Sequence, residues 1–383
     1  MSVGGNVEME RLALVIHRYG LEVNGGAEYH CRMIAEHMVE KYSVDVLASR
    51  SRGIFPWDNV YDVETNFDSI RVLRFEVEDT SAFPNDSIEQ TGPYCPSMME
   101  YLKKHHKEYK AVIFFTLNYY TACAGLKLNM NNSIFLPTAH DDNAIWSEKY
   151  GEVFSYPRGI LYNTVEEKNL IESIYEVGNI PSRIGCFGID IKEYERLGNS
   201  IGEAGNYILY AGRISNSKNF KELNKYFIKY KERNPSDLRL IVLGEMDKGM
   251  EIINHEDILF KGFVSDKEKN QYIRNALVTV LPSRHESLSI IVLESLACKV
   301  PVLVNGWCEV LKGQCIRSNA GLYYTNYREF EKELTLLLEN NDLRSEMGEN
   351  GRKFVEYNYS WERITQNIDS LINEVCSGKL IPK

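Results

Sequence analysis

Residues 281–304 read LPSRHESLSIIVLESLACKVPVLV, and the order of chemical types in this run sets the reading of the whole chain. A short apolar strand (278–281) meets Pro282-Ser283 and a polar turn, then an apolar helix, then the strand PVLV. The pattern predicts a helix over 287–296 whose N-terminus points back at Glu286. Seven residues separate Glu286 from Glu294, which places the second acid two turns inside that helix. A helix start offers free backbone N–H groups and positive dipole to a phosphate. The Glu294 carboxylate then reaches sugar hydroxyls beside that phosphate. An anion site flanked by two acids suits a nucleotide-sugar better than a nucleic acid.

Working outward, strands and helices alternate in two series. The first has strands at 11–20, 42–49, 69–77, 111–117, 133–140 and 158–164, with a glycine-rich turn and a helix from Ala27 to about Glu40 after the first of them. Ala27, Cys31, Ile34, Ala35 and Met38 share one face of that helix. The second series has strands at 207–213, 238–244, 258–264, 278–283 and 301–306, then amphipathic helices near 327–340 and 342–357. Near-continuous apolar strands between helices imply parallel sheets covered on both faces. The expected fold is therefore α/β, two Rossmann-like halves joined near 191–205.

Composition narrows the class. The 383 residues suit two domains, and 44% hydrophobic with 26% charged residues is ordinary for a globular protein. A net charge of −10 argues against a general nucleic-acid binder. No apolar run approaches the ~20 residues of a membrane span. Acids precede the first apolar run, so the N-terminus does not read as a signal peptide. Eight scattered cysteines without a C-x-x-C pair read as buried thiols of a reducing cytoplasm.

Glu286 and Glu294, with LPSRHES before the helix, LESLAC in it and PVLV after it, resemble the E-x7-E signature of glycosyltransferase family 4, the group 1 glycosyl transferases. These are retaining enzymes of the GT-B fold, with two Rossmann-like domains facing a cleft. Lys299 departs from the pattern, which has glycine before the PV pair. The resemblance implies an acceptor-side domain over 1–190, a nucleotide-sugar domain over 206–358, and a terminal helix (359–383) packing back on the first domain. It also implies transfer of a sugar, with retention, from a nucleotide-sugar to an acceptor hydroxyl. Uridine is the expected base, guanosine the second, and the setting is cell-envelope polysaccharide or lipid-linked oligosaccharide synthesis.

Individual residues take roles on the same footing. In YAGRISNSKNF (210–220), Arg213 ends a strand and Lys218 lies five residues on. Two such cations at a strand's carboxyl end clamp a diphosphate, one bidentate and one as a point charge. The family has the same pair at this point. With it there, no cofactor and no metal is expected. The helix start, here Leu288, Ser289 and Ile290, joins the clamp, Glu286 contacts the transferred sugar, and Glu294 holds the ribose. By resemblance, Gly25 and Gly26 in the Asn24–Glu28 turn touch the donor, and His140 contacts its sugar. Gly262, Phe263 and Val264 stand where the family cradles the base, and Gly244, which ends the neighbouring strand, joins the donor site, with a structural role at least as well founded for each. Asp141-Asp142 read as a turn or acceptor contact, because the metal-binding DxD belongs to a single-domain class. Thr164, Glu167 and 188–190 resemble family positions near the cleft, with a structural role at least as well founded.

The basic run YLKKHHKEYK (101–110) has two readings. It is a solvated helix face, or an interfacial helix docking on anionic lipid at the inner face of the membrane. The turn-rich 80–97 segment and Trp57 read as loops that select the acceptor. Two other functions stay open: an isomerase or phosphorylase on the same scaffold, and a silent glycan- or nucleotide-binding protein.

Overall fold

A computed structural model describes residues 9–23, 25–54, 56–196 and 206–378. Asn24 of the glycine-rich turn and the joining stretch 197–205 lie outside the described residues. The chain divides into two compact units: one takes in residues up to Gly188 and from Trp361 on, the other runs Ile189–Ser360.

Unit 1 is built on an eight-stranded sheet in the order β3-β4-β2-β1-β5-β6-β7-β8. Its strands are β1 (Arg11–Val15), β2 (Ser43–Ser49), β3 (Glu64–Phe67), β4 (Ile70–Phe75), β5 (Ala111–Phe115), β6 (Ser133–Leu136), β7 (Gly159–Tyr162) and β8 (Ser182–Ile184). All neighbours pair in parallel except the edge hairpin β3–β4. Side chains alternate across the sheet, so Leu12 and Leu14 enter one core while Ala13 and Val15 enter the other. Helices α2 (Pro96–His105) and α3 (Tyr120–Lys127) cover the second core with α4 (Val165–Ile174). Helix α1 (Gly26–Met38) covers the first, burying Cys31, Ile34, Ala35 and Met38. The chain's last described helix, Trp361–Cys376, adds Ile364, Ile368, Leu371, Ile372 and Val375 to that same core.

Unit 2 carries a six-stranded parallel sheet in the order β11-β10-β9-β12-β13-β14. The strands are β9 (Tyr207–Ala211), β10 (Arg239–Leu243), β11 (Ile258–Gly262), β12 (Val278–Leu281), β13 (Val302–Asn305) and β14 (Gly321–Tyr324). The helices are α5 (Ile191–Glu195), α6 (Phe220–Arg233), α7 (Asp266–Asn275), α8 (Ile290–Ala297), α9 (Glu309–Ser318), α10 (Tyr327–Glu339) and α11 (Asn341–Asn358). Ile208 and Tyr210 face one core, Tyr207 and Leu209 the other.

One local expectation is corrected. The helix after Glu286 opens at Ile290, not at Ser287, and ends at Ala297. Ser289 takes the extended backbone of an N-cap (φ −104°, ψ 101°), so Ser287 and Leu288 stay in the loop. Glu294 accordingly lies in the second turn of α8, one turn in rather than two. At its other end Lys299 takes a left-handed conformation (φ 62°), where glycine is the usual residue. The N–H of Val300 bonds the carbonyl of Ser295 and that of Lys299 bonds Leu296, at 2.9 and 3.0 Å. This is the Schellman closure, made without a glycine.

Candidate active site

In an open parallel sheet, ligands gather where successive strands leave in opposite directions, outside the strands' carboxyl ends. In unit 2 that point lies between β9 and β12, which pair directly although the paired residues (Leu209↔Thr279 among them) are 70 positions apart in the chain. Arg213 and Lys218 follow β9, and Glu286 follows β12. Arg213 is exposed, while its own carbonyl accepts the Tyr210 hydroxyl at 2.6 Å and fixes the turn. Burial raises the Tyr210 hydroxyl above its ordinary value, and the Glu286 charge adds to the effect.

The two loops are stitched together. The Pro282 carbonyl accepts from Asn219 Nδ2 and from Asn305 Nδ2, each at 3.1 Å. Ser215 Oγ accepts the Lys218 N–H at 3.2 Å, and Asn219 turns the chain with φ 55° into α6. These bonds bring Lys218 to Glu286, and Nζ donates to Oε1 at 2.7 Å. The expected phosphate clamp and the expected sugar acid are thus in contact with each other.

Glu294 is 3% exposed. Lys269, on α7, donates to its Oε1 at 2.8 Å. Burial raises the Glu294 carboxyl above its ordinary value, against the pull of Lys269. For Lys269, burial lowers the ammonium, but Glu294 and Asp266 outweigh it and hold it above its ordinary value. Sequence reasoning missed Lys269. Its one local signal, Asp266 three residues earlier, reads as a solvated i,i+3 pair on a helix face.

Gly244 closes β10 with φ 126°, and a Cβ there would stand 2.1 Å from the Gly212 carbonyl oxygen. The ends of β9 and β10 therefore approach as only glycine permits. Phe263 follows β11 and is 60% exposed, with Val264 half-buried beside it. Leu288 and Ile290 are half-buried, and Ser289 is buried.

Unit 1 has its own reversal of strand order, between β1 and β5. Gly26 faces open space, but a Cβ at Gly25 would meet Glu28 Oε2 at 2.0 Å. Gly25 therefore makes room for a buried carboxylate. Glu28 Oε1 accepts from Arg18 Nε at 2.6 Å and lies 2.9 Å from His17 Nε2. Burial alone would raise this carboxyl; His17 and then Arg18 outweigh burial and bring it to about 2. His17 stacks on Tyr119 at 3.7 Å between centroids, with Trp57 edge-on at 6.4 Å. Neither His17 nor Arg18 was singled out in the sequence, since both sit at the end of an apolar strand without a motif.

His140 follows β6, half-buried, with Nε2 3.0 Å from Asp142 Oδ2. Asp141 Oδ1 accepts from Trp146 Nε1 at 2.7 Å. Among the described residues no group of three or more His, Cys, Asp or Glu is placed to hold a metal ion. Glu167 is buried, and its two oxygens accept the N–H groups of Ala139 and Asn163 at 2.6 Å each. It ties the end of β6 to the end of β7, a structural role. Burial pushes its carboxyl up to about 8, against those two amides. Thr164 caps α4 by accepting the Glu167 N–H.

The basic run 101–110 is spent largely within the unit. Met98, Met99 and Leu102 turn the apolar face of α2 inward. Lys103 pairs with Glu100, His105 with Glu108 and Lys110 with Glu10. Lys104 and Lys107 remain exposed. No described helix is long and apolar enough to cross a membrane.

Residues 192–354 match the family described as Glycosyl transferases group 1. Two uncharacterized glycosyltransferases of Methanocaldococcus jannaschii are 27% and 28% identical, over 54% and 32% of this chain and 54% and 34% of their own lengths. The chain thus spans about half the length of the first of these relatives, and less of the second. Sucrose-phosphate synthase from Thermosynechococcus elongatus superposes with a TM-score of 0.76 at 15% identity, over 97% of this chain and 100% of that one. Anabaena HepE in complex with UDP gives 0.69 at 14% identity, over 96% and 100%. WaaG, a glycosyltransferase involved in lipopolysaccharide biosynthesis, gives 0.64 at 16%, over 96% and 98%. The fold is that of the GT-B glycosyltransferases, and the stretch that matches the glycosyl transferases group 1 family, residues 192–354, is the one that carries Arg213, Lys218, Glu286 and Glu294.

Proposed function

We propose that the protein transfers a sugar from a nucleotide-sugar, a UDP-sugar first, to an acceptor hydroxyl with retention at the anomeric carbon. The observation that carries this reading is the meeting of Lys218 with Glu286 at the switch point of the unit 2 sheet, with Arg213 on the same strand end. Two cations there would neutralise a departing diphosphate, the largest electrostatic demand of the reaction. The N-terminus of α8 would add backbone N–H groups. Once the phosphate takes Lys218, Glu286 is released to accept hydroxyls of the transferred sugar. Glu294 would accept the ribose hydroxyls, Phe263 and Val264 would line the base, and Gly244 would join the donor site. The donor contacts expected of Gly25, Gly26 and His140 belong to the same proposal. So do the absence of a metal requirement and a role in cytoplasmic synthesis of envelope polysaccharide or glycolipid. Uridine is favoured because HepE, which shares the fold, was solved with UDP and with UDP-glucose.

The test is thermal-shift screening against UDP, GDP, ADP and dTDP, with and without magnesium. A ligand at a hundred times its dissociation constant adds about 2.7 kcal/mol. Stabilisation by one nucleotide without metal supports the clamp and names the base. Stabilisation only with magnesium overturns the metal-independent reading, and no shift with any of the four favours a silent scaffold. NMR of the product's anomeric proton then decides retention.

A further inference from the structure

Glu294 presents a chemical problem that its position alone does not solve. A carboxylate at 3% exposure takes up a proton unless something stabilises its charge. Its surroundings are mostly acidic. Asp190 and Glu193 stand at and inside the start of α5, and Asp266 opens α7. Burial first, and then the charges of Asp190, Asp266 and Glu294, raise Glu193 above its ordinary value. Cys298 follows α8, and Arg274 of α7 and Arg352 of α11 act on that thiol. Arg352 is committed elsewhere, to the Ala297 carbonyl and to Glu195 and Glu356. In direct contact with the Glu294 carboxylate are Lys269, at 2.8 Å, and the Tyr194 side chain of α5. Lys269 is in turn held by Asp266 Oδ1 at 2.9 Å.

We propose that Lys269 is a positioning residue of the donor site, holding Glu294 ionised and aimed so that it accepts both hydroxyls of a nucleoside's vicinal diol. The inference rests on the donor-site reading above. An ionised carboxylate has two acceptor oxygens, whereas a protonated one presents a donor on one of them and binds a diol less well. A neutral side chain at 269 would leave Glu294 buried, with the Asp266 charge acting on it and no ammonium against it, and so shift it further toward its protonated form. Lys269 touches no reacting atom in this scheme; it acts through Glu294.

The experiment measures binding of UDP and of 2′-deoxy-UDP, with GDP and its deoxy form in parallel, by calorimetry from pH 6 to pH 9. The proteins are the wild type, K269M, K269R and E294Q. In the wild type the preference for the ribose form should hold across the range. K269M should weaken ribonucleotide binding roughly tenfold or more near pH 6–7 and erase the preference. Both should return as rising pH ionises Glu294. K269R should restore the wild-type profile, and E294Q should lose the preference at every pH. If K269M does not fold, K269Q removes the charge but keeps a donor and makes the same distinction. K269M binding with the wild-type preference at every pH, while E294Q loses it, overturns the role of Lys269 alone. E294Q binding as the wild type does, or a wild type that binds no nucleotide, overturns the donor-site reading and this inference with it.

Discussion

Lys218 Nζ and Glu286 Oε1 lie 2.7 Å apart, joined across 68 residues of sequence by loops that leave adjacent strands. The two groups expected to act on different parts of a donor neutralise each other in this state. A diphosphate arriving at Lys218 must therefore compete with a carboxylate already bonded to it.

That competition predicts opposite effects for the two partners. Glu286→Gln should leave UDP affinity unchanged or raise it by up to about tenfold, because it replaces a charged rival for Lys218, like in sign to the diphosphate, with a weaker neutral acceptor. Turnover should still fall. Lys218→Ala, and likewise Arg213→Ala, should weaken UDP and cut turnover by about two to four powers of ten. Calorimetry and initial rates on the three variants check this. Loss of UDP affinity in Glu286→Gln as large as in Lys218→Ala would mean that Glu286 aims Lys218 rather than rivalling the phosphate.

Glu167 predicts a pH effect in unit 1. Its folded value, about 8, lies above the ordinary carboxylate value of 4.5. Its contribution is then fully present below about 4.5 and is lost as pH rises through 8. Denaturant unfolding should show the wild type losing stability relative to Glu167→Gln between pH 5 and pH 9, by an amount on the order of a few kcal/mol at most. A constant difference across that range would show that the two amide donors keep the carboxylate charged throughout.

Lys299 offers a gain. Its left-handed backbone strains a side chain that glycine would not carry. Lys299→Gly gives up an exposed ion pair with Glu349 at 2.6 Å, which is worth little. Net stabilisation of about 0.5–1 kcal/mol is expected in unit 2, read as a higher unfolding midpoint. A lower midpoint would show that the Glu349 pair outweighs the backbone strain.

Gly244→Ala should do the reverse. The new methyl would meet a backbone carbonyl at 2.1 Å in a backbone conformation that L residues avoid. A loss of about 3 kcal/mol, with weaker nucleotide binding, is expected. Unchanged stability would mean that the β9 and β10 ends part easily.

Much of the fold could be read from the chain because buried parallel strands announce themselves. RLALVIHRYG and YILYAGR have no other use for so many apolar residues in succession. The edge strand β3 (ETNF) escaped for the opposite reason, as it is short, polar and half-exposed. At the site, residues with motif spacing were visible: Arg213, Lys218, Glu286 and Glu294. Their partners were not. Lys269 and His17 owe their importance to contacts made by folding, one against Glu294 and the other against Glu28 and Tyr119. The start of α8 was misplaced because an apolar run fixes a helix's interior better than its first turn.

The helix Trp361–Cys376 gives unit 1 a discontinuous sequence, with all of unit 2 inserted before its final element. During synthesis, the core that awaits Ile364, Ile368, Leu371, Ile372 and Val375 cannot close until those residues leave the ribosome. Unit 2 is complete in sequence before then. The half made first is thus the half that matures last. A fragment ending near residue 190 would expose the apolar surface that this helix covers, so the two halves are not equally separable by truncation.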